Sequence, residues 1–278
     1  MELTSTAARE RYDALAAQLS RTVVGLDFDG VLSPIVDDPA EAHIHPDAAE
    51  VLLALAHEAL AIAVITGRPA RQALALGGLD DIGNSFAEAG SDLYLFGQYG
   101  NERWSSTNRR IISPLPPHGL STFMRELPRL LRRADAAGAH VEEKGLAVAV
   151  HTRQLDDPGE AQKRLIPILT EAAGRHDLVL EPGRAVVEVR SAGMHKGRVV
   201  DTLVDELDAG GFLFAGDDLG DIEAFRAVAD LRESGMDTLL VCSASDEQSA
   251  LVELADVVVD GPDGVLDLLR RLTDDARG

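Results

Sequence analysis

The chain has 278 residues with 26 basic and 47 acidic side chains, which give a formal net charge of -21 at pH 7. A surface this acidic argues against nucleic acid and against an anionic membrane as partners. No stretch is long and apolar enough to predict a membrane span, and the first twenty residues lack the apolar segment of a signal peptide. The single cysteine, Cys242, excludes an internal disulfide and a multi-cysteine metal site. We therefore expect a cytoplasmic protein, with a monomer as the working hypothesis.

The negative charge does not exclude a phosphorylated substrate. The Debye length is about 8 Å at physiological salt, so distant surface carboxylates hardly act in a cleft. Lysine is rare, because the chain has only Lys144, Lys163 and Lys196 beside its many arginines. A lysine here can mark a position that requires a compact ammonium, although a chance scatter is the alternative.

The first part of the chain alternates predicted strands and helices. Residues 22–28 predict a buried strand, and the capping-box spacing of Asp47 and Glu50 predicts the start of a helix. The further predicted elements are a strand at 62–65, a short helix from Pro69 to about Gly77, and a strand at 93–96.

The pattern changes after Pro114. Apolar residues at helical spacing predict a helix over 119–137, and alternation predicts a strand over 146–151. A second helix over 158–174 and a strand over 185–190 follow. These elements indicate a small α+β unit whose sheet is covered on one face.

Alternation of buried strands and helices then returns. The predicted elements are helices over 196–207 and 221–231, strands over 212–215, 238–242 and 257–259, and a C-terminal helix. Such alternation predicts a Rossmann-like, doubly wound parallel α/β sheet with the α+β unit inserted into it. The predicted organisation is a core made of residues 1–113 and 191–278, with an inserted cap at 114–190.

Polar segments follow the predicted strands, at the sheet edge where ligands bind in such folds. Asp27 and Asp29 end the first strand at a spacing of two, which can aim both carboxylates into one crevice. One carboxylate can attack phosphorus, and the other can protonate the leaving oxygen and activate water. A solvated pair and the metal site of a glycosyltransferase are the alternatives.

Two further segments can hold a phosphoryl group. Thr66, Gly67 and Arg68 follow the second strand, where a hydroxyl and backbone amides can bind phosphoryl oxygens; an ordinary turn before a proline is the alternative. Lys196 opens a helix, where its ammonium can neutralise both a nucleophile and a phosphoryl group. A surface lysine is the alternative there.

The segment 216–221 carries three aspartates on one tight turn, at positions 217, 218 and 221. They would repel one another unless a hard cation lay among them, and Mg²⁺ prefers such carboxylate ligands. Capping of the next helix by one aspartate is the alternative, but it leaves the other two unexplained.

In this order, the four segments resemble the motifs of the haloacid dehalogenase superfamily of phosphatases. The resemblance implies that Asp27 is the nucleophile and Asp29 the general acid and base. Thr66 and Lys196 would bind the phosphoryl group. The metal ligands would be Asp27, Asp29 through its carbonyl, and Asp217, with Asp218 or Asp221 acting directly or through water.

Three other segments, 142–151, 186–190 and 99–103, resemble the trehalose-6-phosphate phosphatases within that superfamily. Gly220 and Ile222 depart from the threonine and glutamate that are usual in the fourth motif, which puts the outer metal contacts in question. The resemblance implies a Mg²⁺-dependent phosphatase of trehalose 6-phosphate. The candidate substrate-binding residues are Gly30, Gly67, Arg68, Asn101, Arg103, Glu142, Lys144, Glu188 and Arg190. Solvated positions on a sheet face are the alternative for the charged residues of the cap.

Other functions remain open on the sequence. A phosphatase for another glycosyl phosphate, such as sucrose phosphate or a glucosylglycerate phosphate, would use the same core. An inactive sugar-phosphate-binding regulator would not need intact motifs. A glycosyltransferase would leave Lys196 and Asp217 without a role.

Overall fold

The computed structural model describes residues 2–36, 38–183, 185–193, 195–244 and 249–278. The chain forms two compact units, residues 1–113 with 195–278, and residues 114–194. Within the described ranges, the helices are all too short or too polar to span a lipid bilayer.

The strands in chain order are β1 (Glu2–Leu3), β2 (Thr22–Leu26), β3 (Ala61–Ile65), β4 (Leu93–Gly97), β5 (Glu102–Ser105), β6 (His140–Glu143), β7 (Ala147–His151), β8 (Leu178–Gly183), β9 (Val186–Ser191), β10 (Gly211–Gly216), β11 (Asp237–Ala244) and β12 (Val257–Asp260). The helices are α1 (Thr6–Ala17), α2 (Ala48–Ala56), α3 (Ala70–Gly77), α4 (Leu79–Glu88), α5 (Leu120–Arg133), α6 (Pro158–Gly174), α7 (Gly197–Leu207), α8 (Ile222–Glu233), α9 (Ser249–Val252) and α10 (Gly261–Arg277).

The first unit contains a sheet of eight described strands in the order β1-β12-β11-β10-β2-β3-β4-β5. The run from β12 to β4 is parallel throughout. The edge strands β1 and β5 pair antiparallel to their neighbours. The predicted parallel α/β sheet is therefore confirmed, and the two antiparallel edges are additions that the sequence patterns did not predict.

Alternate residues of the central strands enter two separate cores, one on each face of the sheet. In β10, Leu213 packs into the cluster that also contains residues of α1, α2 and α10. Phe212 and Phe214 point the other way, into the cluster with α7 and α8. Successive strand side chains point to opposite faces, so a strand buried on both faces reads as a continuous apolar run. This explains why β2 and β10 were predicted from short runs without alternation.

The second unit contains a four-stranded antiparallel sheet in the order β6-β7-β9-β8. Val148, Val150, Val187 and Val189 pack against apolar residues of α5 and α6. Their sequence neighbours point to the opposite face, which carries Glu188 and Arg190. The prediction of an α+β unit covered on one face agrees with this arrangement.

One local prediction was wrong. Asp47 precedes helix α2 as expected, but its side chain makes no capping hydrogen bond, and its backbone is helical rather than extended. Its carboxylate instead pairs with Arg270 of α10, at 2.8 Å. A partner distant in the sequence thus replaces the local backbone donor that the capping box requires.

Candidate active site

Three neighbouring strands end together at one edge of the large sheet. Asp27 follows β2, Thr66 follows β3 and Asp217 follows β10, and β2 pairs in parallel with both of the other strands. The carboxyl ends of parallel strands meet at the same edge, so side chains on the following turns can reach one another. This edge carries the candidate site.

Asp27 is almost fully enclosed, with 5% of its surface exposed. Its backbone N–H extends the β2–β10 ladder by donating to the carbonyl of Ala215, at 2.9 Å. Its Oδ1 accepts a hydrogen bond from the backbone N–H of Phe28, at 2.6 Å, and lies 2.8 Å from Nζ of Lys196. These contacts orient the carboxylate from two sides, and among the described residues none makes a hydrogen bond to Oδ2.

Lys196 is the cationic centre of this cluster. It is 2% exposed, and its Nζ lies between Oδ1 of Asp27, at 2.8 Å, and Oδ1 of Asp221, at 2.6 Å. Burial acts to lower the pKa of Lys196, but the two carboxylates outweigh it and hold that pKa well above the usual value. Lys196 is therefore a charged ammonium beside the carboxylate of Asp27.

Asp221 connects the two halves of the cluster. Its Oδ1 accepts from Lys196, and its Oδ2 accepts from the backbone N–H of Asp217, at 3.0 Å. Gly216 leaves the space for it, because a Cβ there would lie 2.5 Å from Oδ2 of Asp221. The sequence suggested Asp221 only as a metal contact, direct or through water. The structure adds that it orients Lys196 and the turn that carries Asp217.

The carboxylates of Asp27, Asp217, Asp218 and Asp221 have oxygens that all lie within 4.8 Å of one another, the one such group among the described residues. Burial and the neighbouring carboxylates raise the pKa of Asp27 well above its usual range. The same causes raise the pKa of Asp217 to about 8. Like charges at this distance are compatible with full ionisation only if a cation neutralises them. The donor set, all oxygen, fits a hard divalent cation such as Mg²⁺.

Gly30 allows Asp217 to reach this position. Its backbone has a φ of +71°, and a Cβ on it would lie 2.8 Å from the Cβ of Asp217 and closer still to the carboxylate. Its N–H donates to the carbonyl of Ser33, at 2.8 Å, so that donor is already used within the turn. Its carbonyl accepts from the buried hydroxyl of Ser243, at 2.6 Å. Gly30 thus has a steric role here, beside the predicted role in binding substrate.

Asp29 and Arg68, predicted separately, are bound to each other. Nε and Nη2 of Arg68 each donate to one oxygen of Asp29, at 2.7 Å. Nη1 of Arg68 donates to the carbonyl of Pro39, at 2.8 Å. The Asp29 carboxylate is not part of the four-carboxylate group, and a metal contact through its carbonyl stays a prediction.

Thr66 and Gly67 form a turn that is held by the loop after β4. The hydroxyl of Thr66 accepts from the backbone N–H of Arg68, at 3.1 Å, and its carbonyl accepts from the N–H of Tyr99, at 3.0 Å. The ring of Tyr99 covers Gly67, where a Cβ would lie 2.8 Å from the ring. Gln98 and Tyr99 both have left-handed backbone conformations, which are uncommon for such residues and cluster at functional sites.

The two remaining predicted residues of the first unit make structural contacts. The side-chain amide of Asn101 donates to the carbonyl of Gln98, at 3.0 Å. Arg103 forms a two-pronged ion pair with Glu206, and its guanidinium lies over the ring of Phe96. The ion pair joins β5 to α7, and the Asn101 bond stays within the loop after β4. A role in substrate binding stays a prediction for both residues.

The predicted residues of the second unit share one face of its sheet. Glu142 is opposite Ala149, and Ala149 is opposite Glu188 across three adjacent strands. Nζ of Lys144 donates to Oε2 of Glu188, at 2.7 Å. Glu142 lies 3.0 Å from Nε2 of His151. Ala149 lies between the two glutamates on this face and is fully buried.

Glu188 and Arg190 are buried, with 6% and 8% of their surfaces exposed. Nε of Arg190 lies 4.0 Å from Oε1 of Glu188, too far for a hydrogen bond. Oε1 of Glu188 is enclosed and accepts no hydrogen bond from the residues described here. A buried carboxylate oxygen without a donor is costly unless a ligand supplies one.

Ser243 and Tyr99 were not identified from the sequence as site residues. Ser243 is the penultimate residue of β11 and lies at the same sheet edge as Asp27, so the rule that located the four segments could have found it. Tyr99 was quoted only within a resemblance, because nothing local shows that its ring covers Gly67.

Comparison with known proteins shows the family. The model described as trehalose-phosphatase matches residues 25–257. A Mycobacterium tuberculosis protein described as an uncharacterized glycosyl hydrolase is 34% identical over 219 residues, which are 75% of this chain and 15% of that protein. A probable trehalose-phosphate phosphatase I of Arabidopsis thaliana is 27% identical over 285 residues, which are 96% of this chain and 72% of that protein.

The fold is that of a solved relative. The C-terminal domain of the Candida albicans trehalose-6-phosphate phosphatase superposes with a TM-score of 0.78 at 20% identity, covering 98% of each chain. At that identity the match shows the fold alone, and it confirms the predicted haloacid-dehalogenase-like class. Because the family model covers most of the chain, the protein belongs to the trehalose-phosphatase family.

Proposed function

We propose that this protein hydrolyses trehalose 6-phosphate to trehalose and phosphate with Mg²⁺ as cofactor and a phosphorylated Asp27 as intermediate. One observation carries the chemical part. It is the buried carboxylate of Asp27, in contact with the ammonium of Lys196 and with three further carboxylates within 4.8 Å. The substrate follows from the family and from the names of the relatives.

The reaction has two steps. An oxygen of Asp27 attacks phosphorus, the bond from phosphorus to the sugar oxygen breaks, and Asp29 gives that oxygen a proton. Water then attacks the phosphorus of the aspartyl phosphate and passes a proton to Asp29, which releases phosphate and restores Asp27. The same residue acts first as acid and then as base, so each cycle begins and ends with the same protonation state.

The residues around Asp27 have separate tasks in this scheme. Lys196 offsets negative charge on the nucleophile and on the phosphoryl oxygens, where a fixed cation in a buried site acts strongly. The hydroxyl of Thr66, at the end of the next strand, would donate to a phosphoryl oxygen. Asp221 keeps Lys196 and the Asp217 turn in place through the two contacts described above.

Asp27, Asp217 and Asp218 would hold Mg²⁺ through side-chain oxygens, and Asp29 through its carbonyl. A bound Mg²⁺ would withdraw charge from the transferring phosphoryl group and orient it. The clustering of carboxylates and the raised pKa of Asp217 support a cation at this position.

We assign catalysis to the first unit and sugar recognition to the second. Sugar hydroxyls donate and accept hydrogen bonds, and the face with Glu142, Lys144, Glu188 and Arg190 offers both kinds of partner. The enclosed Oε1 of Glu188 lacks a hydrogen-bond donor among the described residues, and a hydroxyl would supply it.

Phosphate release from a panel of sugar phosphates tests the proposal. We expect trehalose 6-phosphate to have the highest catalytic efficiency, ahead of sucrose phosphate, glucosylglycerate phosphate and glucose 6-phosphate. Asp27→Asn should fold normally and release no phosphate from any of them, because an amide is a poor nucleophile. Preference for another glycosyl phosphate would overturn the substrate, and full turnover by the variant would overturn the covalent mechanism.

A further inference from the structure

The guanidinium of Arg68 uses its donors inside the protein. Nε and Nη2 bind the two oxygens of Asp29, each at 2.7 Å, and Nη1 binds the carbonyl of Pro39, at 2.8 Å. Its side chain is 11% exposed, and its guanidinium carbon lies 5.9 Å from the ring centre of the buried Phe28. A ligand could displace these contacts only by breaking a two-pronged ion pair, the strongest kind of side-chain hydrogen bonding.

The backbone of Arg68 is held as firmly as its side chain. Its N–H donates to the hydroxyl of Thr66, at 3.1 Å, and its carbonyl accepts from the N–H of Gln98, at 2.8 Å. The side chain of Arg68 therefore starts from a fixed backbone position in the turn after β3. From there it spans to the turn after β2, where Asp29 lies.

Asp29 has little else to orient it. Its side chain is 35% exposed, and among the described residues the side-chain hydrogen bonds to its carboxylate come from Arg68. A general acid must be held within hydrogen-bond reach of the leaving oxygen, and loss of orientation in such a group lowers the rate without affecting binding.

From this geometry we propose that Arg68 is a positioning residue for Asp29 and does not bind the phosphoryl group. The inference rests on the proposed function, in which Asp29 is the general acid and base. It replaces the expectation from sequence that Arg68 binds substrate. A lysine at this position could not reproduce the two-pronged contact, because its ammonium acts as a single point charge.

The test compares the first turnover of Arg68→Lys on two substrates by rapid quench. A sugar alkoxide must be protonated as it leaves, whereas p-nitrophenolate is stable without a proton. If Arg68 acts through Asp29, the loss should be at least tenfold larger with trehalose 6-phosphate than with p-nitrophenyl phosphate. Arg71→Lys is the matched control, since Arg71 is exposed on α3, and it should change neither rate.

Two further measurements separate this role from the alternatives. The affinity for tungstate, a phosphate analogue, should stay within about threefold of wild type by calorimetry, a readout that needs no turnover. In an Asp29→Asn background, Arg68→Lys should cause no additional loss, because residues that act as one unit are not additive. If Arg68→Lys fails to fold, Arg68→Gln, which keeps an N–H donor, takes its place in the same measurements.

Equal losses on both substrates with a tenfold weaker affinity for tungstate would show that Arg68 binds the phosphoryl group. A full additional loss in the Asp29→Asn background would show a structural role independent of Asp29. Either result overturns the inference. If the wild type prefers another sugar phosphate, the substrate part of the proposed function fails, but the comparison is made with that substrate and still decides the role of Arg68.

Discussion

The carboxylate of Asp217 occupies the space in which a Cβ on Gly30 would lie. A Cβ on residue 30 would lie 2.8 Å from the Cβ of Asp217, and the φ of +71° also favours glycine. The backbone of Gly30, in the turn after β2, therefore packs directly against the carboxylate of Asp217, in the turn after β10. This contact places a proposed metal ligand beside the proposed nucleophile.

Gly30→Ala should therefore displace Asp217 and remove both metal binding and phosphatase activity. Gly90→Ala is the matched control, because Gly90 has a similar φ of +77° with nothing within 4 Å of its Cβ position. Both variants should lose about 1 kcal/mol or more of folding stability from backbone strain, but only Gly30→Ala should lose activity. Denaturant unfolding and phosphate release measure the two effects, and an active Gly30→Ala would show that Asp217 is not needed where it lies.

Removal of divalent metal should abolish phosphate release, and Mg²⁺ should restore it. Zinc should not restore the native activity, because the cluster offers only oxygen donors and zinc favours nitrogen and sulfur. Mg²⁺ should also raise the melting temperature of the wild type, since a ligand that binds only the folded state stabilises it. Asp217→Asn should lose most of this thermal shift. Undiminished turnover in excess chelator would contradict the metal requirement.

The pKa of Asp217 predicts an unusual pH dependence in chelator. Burial and neighbouring carboxylates raise this pKa from 3.8 to about 8 in the folded protein. The folded state thus holds a proton that the unfolded state releases, and the resulting stability is present below pH 4 and lost as pH rises toward 8. Asp217→Asn removes this loss, so its stability relative to wild type should increase from pH 4 to pH 8.

Between pH 4 and pH 8, the stability of Asp217→Asn relative to wild type should increase by more than about 1.4 kcal/mol, the free energy that corresponds to one pKa unit. Asp267→Asn, at an exposed position of α10, provides the control and should show no such trend. With saturating Mg²⁺ the wild type should be more stable than Asp217→Asn, because it gains the binding energy that the variant lacks. Denaturant unfolding at four pH values, with and without Mg²⁺, makes the measurement. A difference that is constant with pH would mean that Asp217 is ionised in the folded protein without metal.

Substitutions on the charged face of the second unit should lower activity on trehalose 6-phosphate and have little effect on activity with p-nitrophenyl phosphate. Alanine at Glu142, Lys144 or Glu188 would remove charge-assisted hydrogen bonds of roughly 1.5–3 kcal/mol each. That is about one to two decades in catalytic efficiency on trehalose 6-phosphate, with a small effect on p-nitrophenyl phosphate. Glu143→Ala, an exposed neighbour on β6, is the control and should change neither. Equal losses on both substrates would remove the assignment of sugar recognition to this face.

Local sequence was sufficient for much of the fold. The buried strands at 22–28 and 212–215 were predicted from continuous apolar runs, because a strand that is buried on both faces carries apolar side chains on both. Their parallel pairing then puts Asp27 and Asp217 at one edge, since strand ends of a parallel sheet coincide. Helix α1 was not predicted, because Tyr12 and Leu15 are its only large buried residues and the charged residues 9–11 and 13 lie beside them.

The sequence by itself thus determined which residue types follow which strands, and so the composition of the candidate site. The tertiary structure decided their partners. Arg68 binds Asp29, which lies 39 positions away, and Asp47 binds Arg270 instead of capping its own helix. Periodicity reports which side of an element is buried, because that depends on near neighbours along the chain. The choice of ion-pair partner depends on distances between turns on different strands, and no local pattern encodes those distances.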